Sequence, residues 1–131
     1  MALAYVDTSC LVAIALGEPG SEKLAERLAA LERLFASDLV EAEFRATMVR
    51  EGLGNQGDDL LSWLTWFFPD RKLTREIRSA SQYRYVRGAD LWHLAAALFL
   101  ADQEPSQLIF ATLDHRQHEV ATEIGFRPLS Y

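Results

Sequence analysis

Strand-like and helix-like segments alternate along this chain, which predicts an α/β fold: a short parallel sheet covered by helices on both faces. Three observations carry that expectation. Leu3 to Val6 and Leu108 to Ala111 are short apolar runs with the length of buried strands. Longer segments place apolar residues three and four apart, as in Leu24, Leu28 and Leu31. Acidic residues stand where one kind of run gives way to the other, at Asp7, Asp90 and Asp114.

The elements follow in order. Leu3 to Val6 is a strand, and Asp7-Thr8-Ser9 opens a helix through about Leu16. Gly17-Glu18-Pro19-Gly20 is a turn. Ser21 to Leu34 reads as a helix and Phe35-Ala36 as a brief strand. Asp38 starts a third helix, with Glu41 three residues on as a capping box. That helix ends near Gly52, in a glycine-rich loop to Asp58. Leu60 to Phe68 is apolar nearly all round and reads as a helix buried on more than one side. Pro69-Asp70 breaks it, Arg71 to Leu73 is a short strand, and Thr74 to Tyr85 is a basic helix. Asp90 begins an apolar helix to about Asp102. After the strand at Leu108, His115 to Ile124 is the last helix, with Gly125 as its C-cap and Arg127 to Leu129 as an edge strand.

A length of 131 residues predicts a single domain, 1–131, large enough for a real core. A hydrophobic fraction of 50% argues against disorder. The lone Cys10 excludes an internal disulfide and a cysteine zinc cage, and it fits a reducing compartment. The start lacks a basic region and Asp7 interrupts its apolar run, so no signal peptide is expected. The longest apolar stretch, Leu91 to Ala101, is too short for a membrane span. A cytoplasmic location follows as the expectation.

The net charge of −6 looks unsuited to a nucleic-acid partner, but its distribution matters more. Without the four candidate acids it is −2, and the segment Arg71 to Arg87 is locally +5. Arg71, Arg75 and Arg78 have the spacing of one helix face. With Arg84 and Arg87 they form a candidate RNA-backbone surface, and Tyr83 and Tyr85 are placed to stack on bases. The plainer reading is a solvated helix face. Position just ahead of Asp90 favours the RNA contact.

Asp7, Glu43, Asp90 and Asp114 are the candidate catalytic residues. Carboxylates gathered at strand ends and helix starts make an oxygen-lined site for a hard divalent cation. Such a cation activates water against a phosphodiester. Each Asp also has a structural reading as a helix cap, and Asp114 with Gln117 is a good capping box. Glu43 lacks one, because it falls inside a helix whose neighbours Leu39, Val40, Phe44 and Met48 look like core. Ser9 and Thr112 stand two residues from Asp7 and Asp114, placed to donate hydrogen bonds that orient a carboxylate. His93, one turn beyond Asp90, is placed to touch the site or its water, but with no partner His at ligand spacing a satisfied core histidine is the favoured reading. His115 and His118 read as surface residues. Trp63, Trp66 and Phe67 are candidate interface residues.

These residues bring a known family into view. The chain resembles a PIN-domain ribonuclease, specifically the VapC-type toxin of a type II toxin–antitoxin system. The resemblance runs from Val6 to about Phe126 and rests on four pieces in order. They are Val6-Asp7-Thr8-Ser9; Ser37 with Glu43 six residues later and Phe44-Arg45-Ala46 after it; Asp90-Leu91-Trp92-His93-Leu94-Ala95; and Phe110-Ala111-Thr112-Leu113-Asp114. Leu91 departs from the small residue common there in relatives. The resemblance implies a three-layer α/β/α fold and a metal site at Asp7, Glu43, Asp90 and Asp114 holding one or two Mg²⁺ or Mn²⁺ ions. It also implies RNA cleavage leaving 5′-phosphate and 3′-hydroxyl ends, an antitoxin partner and a twofold homodimer.

Other chemistry fits less well. A haloacid-dehalogenase-type phosphatase needs a second Asp at position 9, where this chain has Ser9. A Cys-x5-Arg phosphatase needs Arg where Leu16 stands. A PIN-like module that binds RNA or protein without cutting is the remaining alternative, and the intact acid set favours catalysis over it.

Overall fold

The computed structural model describes residues 2–129. Its first half runs β1 (Leu3–Val6), α1 (Thr8–Ala15), α2 (Ser21–Ala29), β2 (Arg33–Ala36), α3 (Asp38–Arg50), α4 (Asp58–Leu61) and β3 (Leu64–Trp66). The second half runs α5 (Thr74–Ala80), α6 (Gly88–Leu100), a short 3-10 turn, β4 (Ile109–Ala111), α7 (His115–Ile124) and β5 (Arg127–Pro128). All strand pairs are parallel, in the order β3-β2-β1-β4-β5. β1 is central, with Ala4, Tyr5 and Val6 fully buried, as expected for a strand covered on both faces.

The topology decides where the helices lie. From β1 to β2 to β3 the chain steps one way across the sheet, and from β3 to β4 to β5 it steps the other way. Crossovers between parallel strands are right-handed, so this reversal puts α1 to α4 on one face and α5 to α7 on the other. The packing agrees: α1 touches α2 and α3, and α5 touches α6. The expected parallel sheet covered on both faces is therefore present. The strand order reverses between β1 and β4, which opens a crevice at their carboxyl ends, the usual place for a ligand in such sheets.

Several expected elements differ. The apolar run Leu60 to Phe68 is no single helix. It ends the one-turn α4 and then forms β3 at the sheet edge. A short continuous apolar run suits either a buried helix or a strand, and pairing of Leu34 with Leu64 settled it. The second helix stops at Ala29 because Arg33 must pair with Leu3. Arg71 to Leu73 is not a strand, and the basic helix is only α5, ending at Ala80. Arg71 precedes that helix, so Arg71, Arg75 and Arg78 do not share a helix face. The capping box at α3 is also absent. Ser37 is the N-cap, but its hydroxyl bonds Tyr5, and Glu41 instead pairs with Arg45 at 2.9 Å. Among the described residues no helix is long and apolar enough to cross a membrane.

Candidate active site

Three of the four acids sit at helix starts on the carboxyl edge of the sheet. Asp7 follows β1 and caps α1, its Oδ2 accepting from the Ser9 amide at 3.2 Å. Asp114 follows β4 and caps α7, its Oδ1 accepting from the Gln117 amide at 2.8 Å. Both carboxylates thus cap their helices, which holds them at the crevice, but the Asp114–Gln117 capping box is half formed, because the Asp114 N–H donates to Thr112 Oγ1 at 3.1 Å and not to the Gln117 side chain. Asp90 is not a cap: α6 begins at Gly88 and places Asp90 in its first turn. Glu43 comes from the other side, on α3.

One oxygen of Asp7 is fully committed. Its Oδ2 also accepts from Ser9 Oγ at 2.7 Å and Thr112 Oγ1 at 3.1 Å. Its other oxygen, Oδ1, lies 3.7 Å from His93 Nε2. Glu43 is divided in the same way. Its Oε1 accepts from Thr8 Oγ1 at 2.8 Å and is 2.6 Å from His93 Nε2. The Asp7 and Glu43 carboxylates therefore meet at one imidazole nitrogen. That hydrogen bond from His93, helped by Thr8 against the opposing effect of burial, holds Glu43 below the ordinary glutamate pKa.

Asp90 is in the opposite electrostatic situation. Burial raises its pKa, and the negative charges of Asp7 and Asp114 push it further up, while Arg87 pulls it down. Arg87 Nε stands 3.6 Å from Asp90 Oδ2. A cavity of about 190 Å³ is lined by Tyr85, Val86, Arg87, Asp90, Asp114 and Arg116. Behind it the buried Gln117 side chain lies 3.0 Å from Thr112 Oγ1, whose one hydrogen it shares with Asp7, and donates to the Asp90 carbonyl at 3.3 Å, tying α7 to α6. A larger hollow of about 800 Å³ lies at the Gly17–Gly20 turn, away from the acids. Charge, not size, marks the site.

As the side chains stand, no group of three or more His, Cys, Asp or Glu among the described residues converges to hold a metal ion. The chemistry of the donor set nevertheless suits a hard divalent cation. All four candidates are oxygen donors, and Asp7 and Glu43 each have one oxygen occupied by protein donors. Burial first, and then the negative charges of Asp7 and Asp114, raise the pKa of Asp90, and a cation beside it would offset both. These are the residues that would hold such an ion.

The basic residues are less uniform than their spacing suggests. Arg71 makes two bonds to the buried Glu76, at 3.0 and 2.6 Å. Arg84 is spent on Glu119 and Glu123, at 2.9 and 2.6 Å. Arg75 is exposed and 3.8 Å from Glu76, and Arg78 is exposed nearby. Tyr85 is exposed beside Arg87. In the aromatic segment Phe67 turns inward against Tyr5 and Phe99, whereas Trp63 and Phe68 remain exposed and Trp66 is half-buried.

Sequence reasoning misses Thr8, Tyr5 and Gln117 as parts of this site, and it favours a core histidine at His93 over the contact with the site that the ring makes. The signal available for Thr8 is its place beside Asp7. Nothing local distinguishes Tyr5 from a core aromatic. Comparison with known proteins adds one finding: the model of the PIN domain family matches residues 4–123. No curated protein matches the chain.

Proposed function

Because the chain belongs to the PIN domain family, a nuclease-type fold, we propose that it is a metal-dependent endoribonuclease and the VapC-type toxin of a toxin–antitoxin pair. The observation that carries this reading is the placement of Asp7, Asp90 and Asp114 at the crevice where the strand order reverses, with Glu43 joined to Asp7 through His93. On this reading Asp7, Glu43, Asp90 and Asp114 hold Mg²⁺ or Mn²⁺, one or two ions. A divalent cation supplies Lewis acidity and lowers the pKa of water, which is the chemistry hydrolysis of a phosphodiester requires.

The protein's own contributions are positional. Ser9 and Thr112 hold Asp7, and Thr8 and His93 hold Glu43, so one oxygen of each of these two carboxylates is fixed by protein donors. Arg87 sits beside the acids and is placed to meet a phosphate there. Arg75 and Arg78 supply further exposed positive charge for the RNA backbone, and Tyr85 an exposed ring for a base. The charges of Arg71 and Arg84 are already partly offset by carboxylate partners, which lessens their pull on RNA. The partners on this reading are RNA, an antitoxin and a second copy of the chain. Exposed Trp63 and Phe68 mark apolar surface suited to a protein partner.

The test is cleavage of total RNA by the purified chain with Mn²⁺, with mapping of the new ends. Products with 5′-phosphate and 3′-hydroxyl are expected, lost in EDTA and in Asp7→Asn or Asp90→Asn. Cleavage that survives EDTA or both substitutions rules out the mechanism. RNA binding without any cleavage favours the non-catalytic reading.

A further inference from the structure

His93 is fully buried yet both of its ring nitrogens are engaged. Nδ1 is 2.6 Å from the Tyr5 hydroxyl, which in turn lies 2.9 Å from Ser37 Oγ. Nε2 is 2.6 Å from Glu43 Oε1. A chain of hydrogen bonds therefore runs from Ser37 at the end of β2, through Tyr5 in the central strand, to His93 on α6 and out to Glu43 on α3. Four separate elements meet in it.

The chemistry of the chain sets its proton positions at the outer end. An ionised carboxylate only accepts, so the His93 nitrogen facing Glu43 must carry a hydrogen. This holds for the neutral ring and for the imidazolium alike. In the neutral ring Nδ1 accepts from Tyr5 O–H, and the Tyr5 oxygen accepts from Ser37. A phenol is protonated at neutral pH, so the Tyr5 hydroxyl has a hydrogen to donate. With both nitrogens occupied, His93 has no lone pair left for a metal.

We propose that His93 is a positioning residue for Glu43: the buried Ser37–Tyr5–His93 chain fixes Oε1 and leaves Oε2 as the oxygen offered to a divalent cation. Thr8 reinforces the same choice, since its hydroxyl also donates to Oε1. Glu43 would otherwise be a half-exposed side chain with several rotatable bonds. The hydroxyl of Tyr5, a core residue with no contact to solvent, thereby contributes to ion affinity through two intervening groups. This inference rests on the metal reading of the acids.

The experiment uses the full chain with Mn²⁺ alone as probe, and calorimetry and ¹⁵N NMR of the imidazole as readouts. The metal-free protein is expected to show a proton on His93 Nε2. Tyr5→Phe should weaken Mn²⁺ binding about tenfold and His93→Leu about a hundredfold, the span that outer partners of metal ligands contribute. His93→Gln, which returns an N–H towards Glu43, should recover most of the loss, a recovery that a purely structural role for the ring would not produce. If His93→Leu fails to fold, Tyr5→Phe and His93→Gln still decide the matter. Wild-type affinity in Tyr5→Phe, or no recovery in a folded His93→Gln, overturns the proposal. An unprotonated Nε2 in a protein that binds Mn²⁺ overturns it alone, whereas no Mn²⁺ binding by the wild type overturns the metal reading beneath it.

Discussion

Asp90 and Glu43 are two carboxylates at one crevice with opposite electrostatics, and each gives a pH dependence of its own sign. The Asp90 pKa is raised in the fold, so the folded state binds its proton more tightly than the unfolded chain does. Stability therefore falls as pH rises from the unfolded value through the folded one, and above that window the ionised carboxylate is a continuing cost. Asp90→Asn is expected to raise the melting temperature of the metal-free protein at pH 7, and the gain should shrink in acid. An unchanged melting temperature would show that neither burial nor the neighbouring carboxylates penalise the charged Asp90. Glu43 is lowered by its bond from His93, so its contribution is present above the ordinary glutamate value and is lost as pH falls through the folded one. Gly57 makes a different prediction at the same scale. A Cβ there would stand 2.5 Å from Phe44 Cζ and 2.7 Å from Cε2, and Phe44 is buried. Its φ of −92° suits any residue, so the objection is space alone. Gly57→Ala should cost about 1–3 kcal/mol by overpacking, read from urea unfolding.

At the scale of elements, α5 is held to α6 by polar contacts as well as apolar ones. The buried Glu76 takes both bonds from Arg71 and one from Gln103 at 3.2 Å, while the Arg71 guanidinium lies 5.2 Å from the Phe99 ring centre. Removing Arg71 takes the two shortest bonds from this buried carboxylate and leaves it Gln103 and the more distant Arg75 at 3.8 Å. Arg71→Ala should therefore lower the melting temperature by more than Arg78→Ala, which touches no such partner; equal losses would show that Glu76 finds another cation or water. Glu76 also divides the basic segment. Arg75 and Arg78 remain as exposed charges, and reversing both should weaken RNA binding. The salt slope should fall by about 0.7 for each single-strand phosphate that is no longer neutralised. Unchanged binding and slope would assign these residues to a partner surface or to solvent.

At the scale of the whole molecule, the sheet leaves β3 at an open edge, with Trp63 and Phe68 exposed beside it. An exposed edge with aromatic neighbours is a surface that proteins ordinarily cover. The expected homodimer would sediment at twice the 14.8 kDa of the chain at micromolar concentration. A clean monomer would refute the dimer and direct the aromatic edge to the antitoxin. A helix apolar on all sides from Leu60 to Phe68 is no basis for the dimer, because that segment is the end of α4, a turn, the short strand β3 and loop, and Phe67 is used internally. Only the exposed residues support it.

Local pattern is enough to place β1, α1, α3, α6, β4 and α7, because an acid or a turn marks a boundary of each. The same pattern picks out Asp7, Glu43, Asp90 and Asp114 as the acids worth following. It misreads Leu60 to Phe68 and the reach of the basic helix. An all-apolar run has no period to distinguish strand from helix, and a run of arginines does not reveal that one carboxylate among them is buried. Only the tertiary structure decided which groups hold the acids. Ser37, Tyr5, His93 and Glu43 are separated by up to 88 positions between hydrogen-bonded partners, and no local spacing encodes a bond between residues that meet only when the sheet and both helical layers have closed. The residue types were written in the chain. Their division into pinned and unpinned oxygens was set by packing.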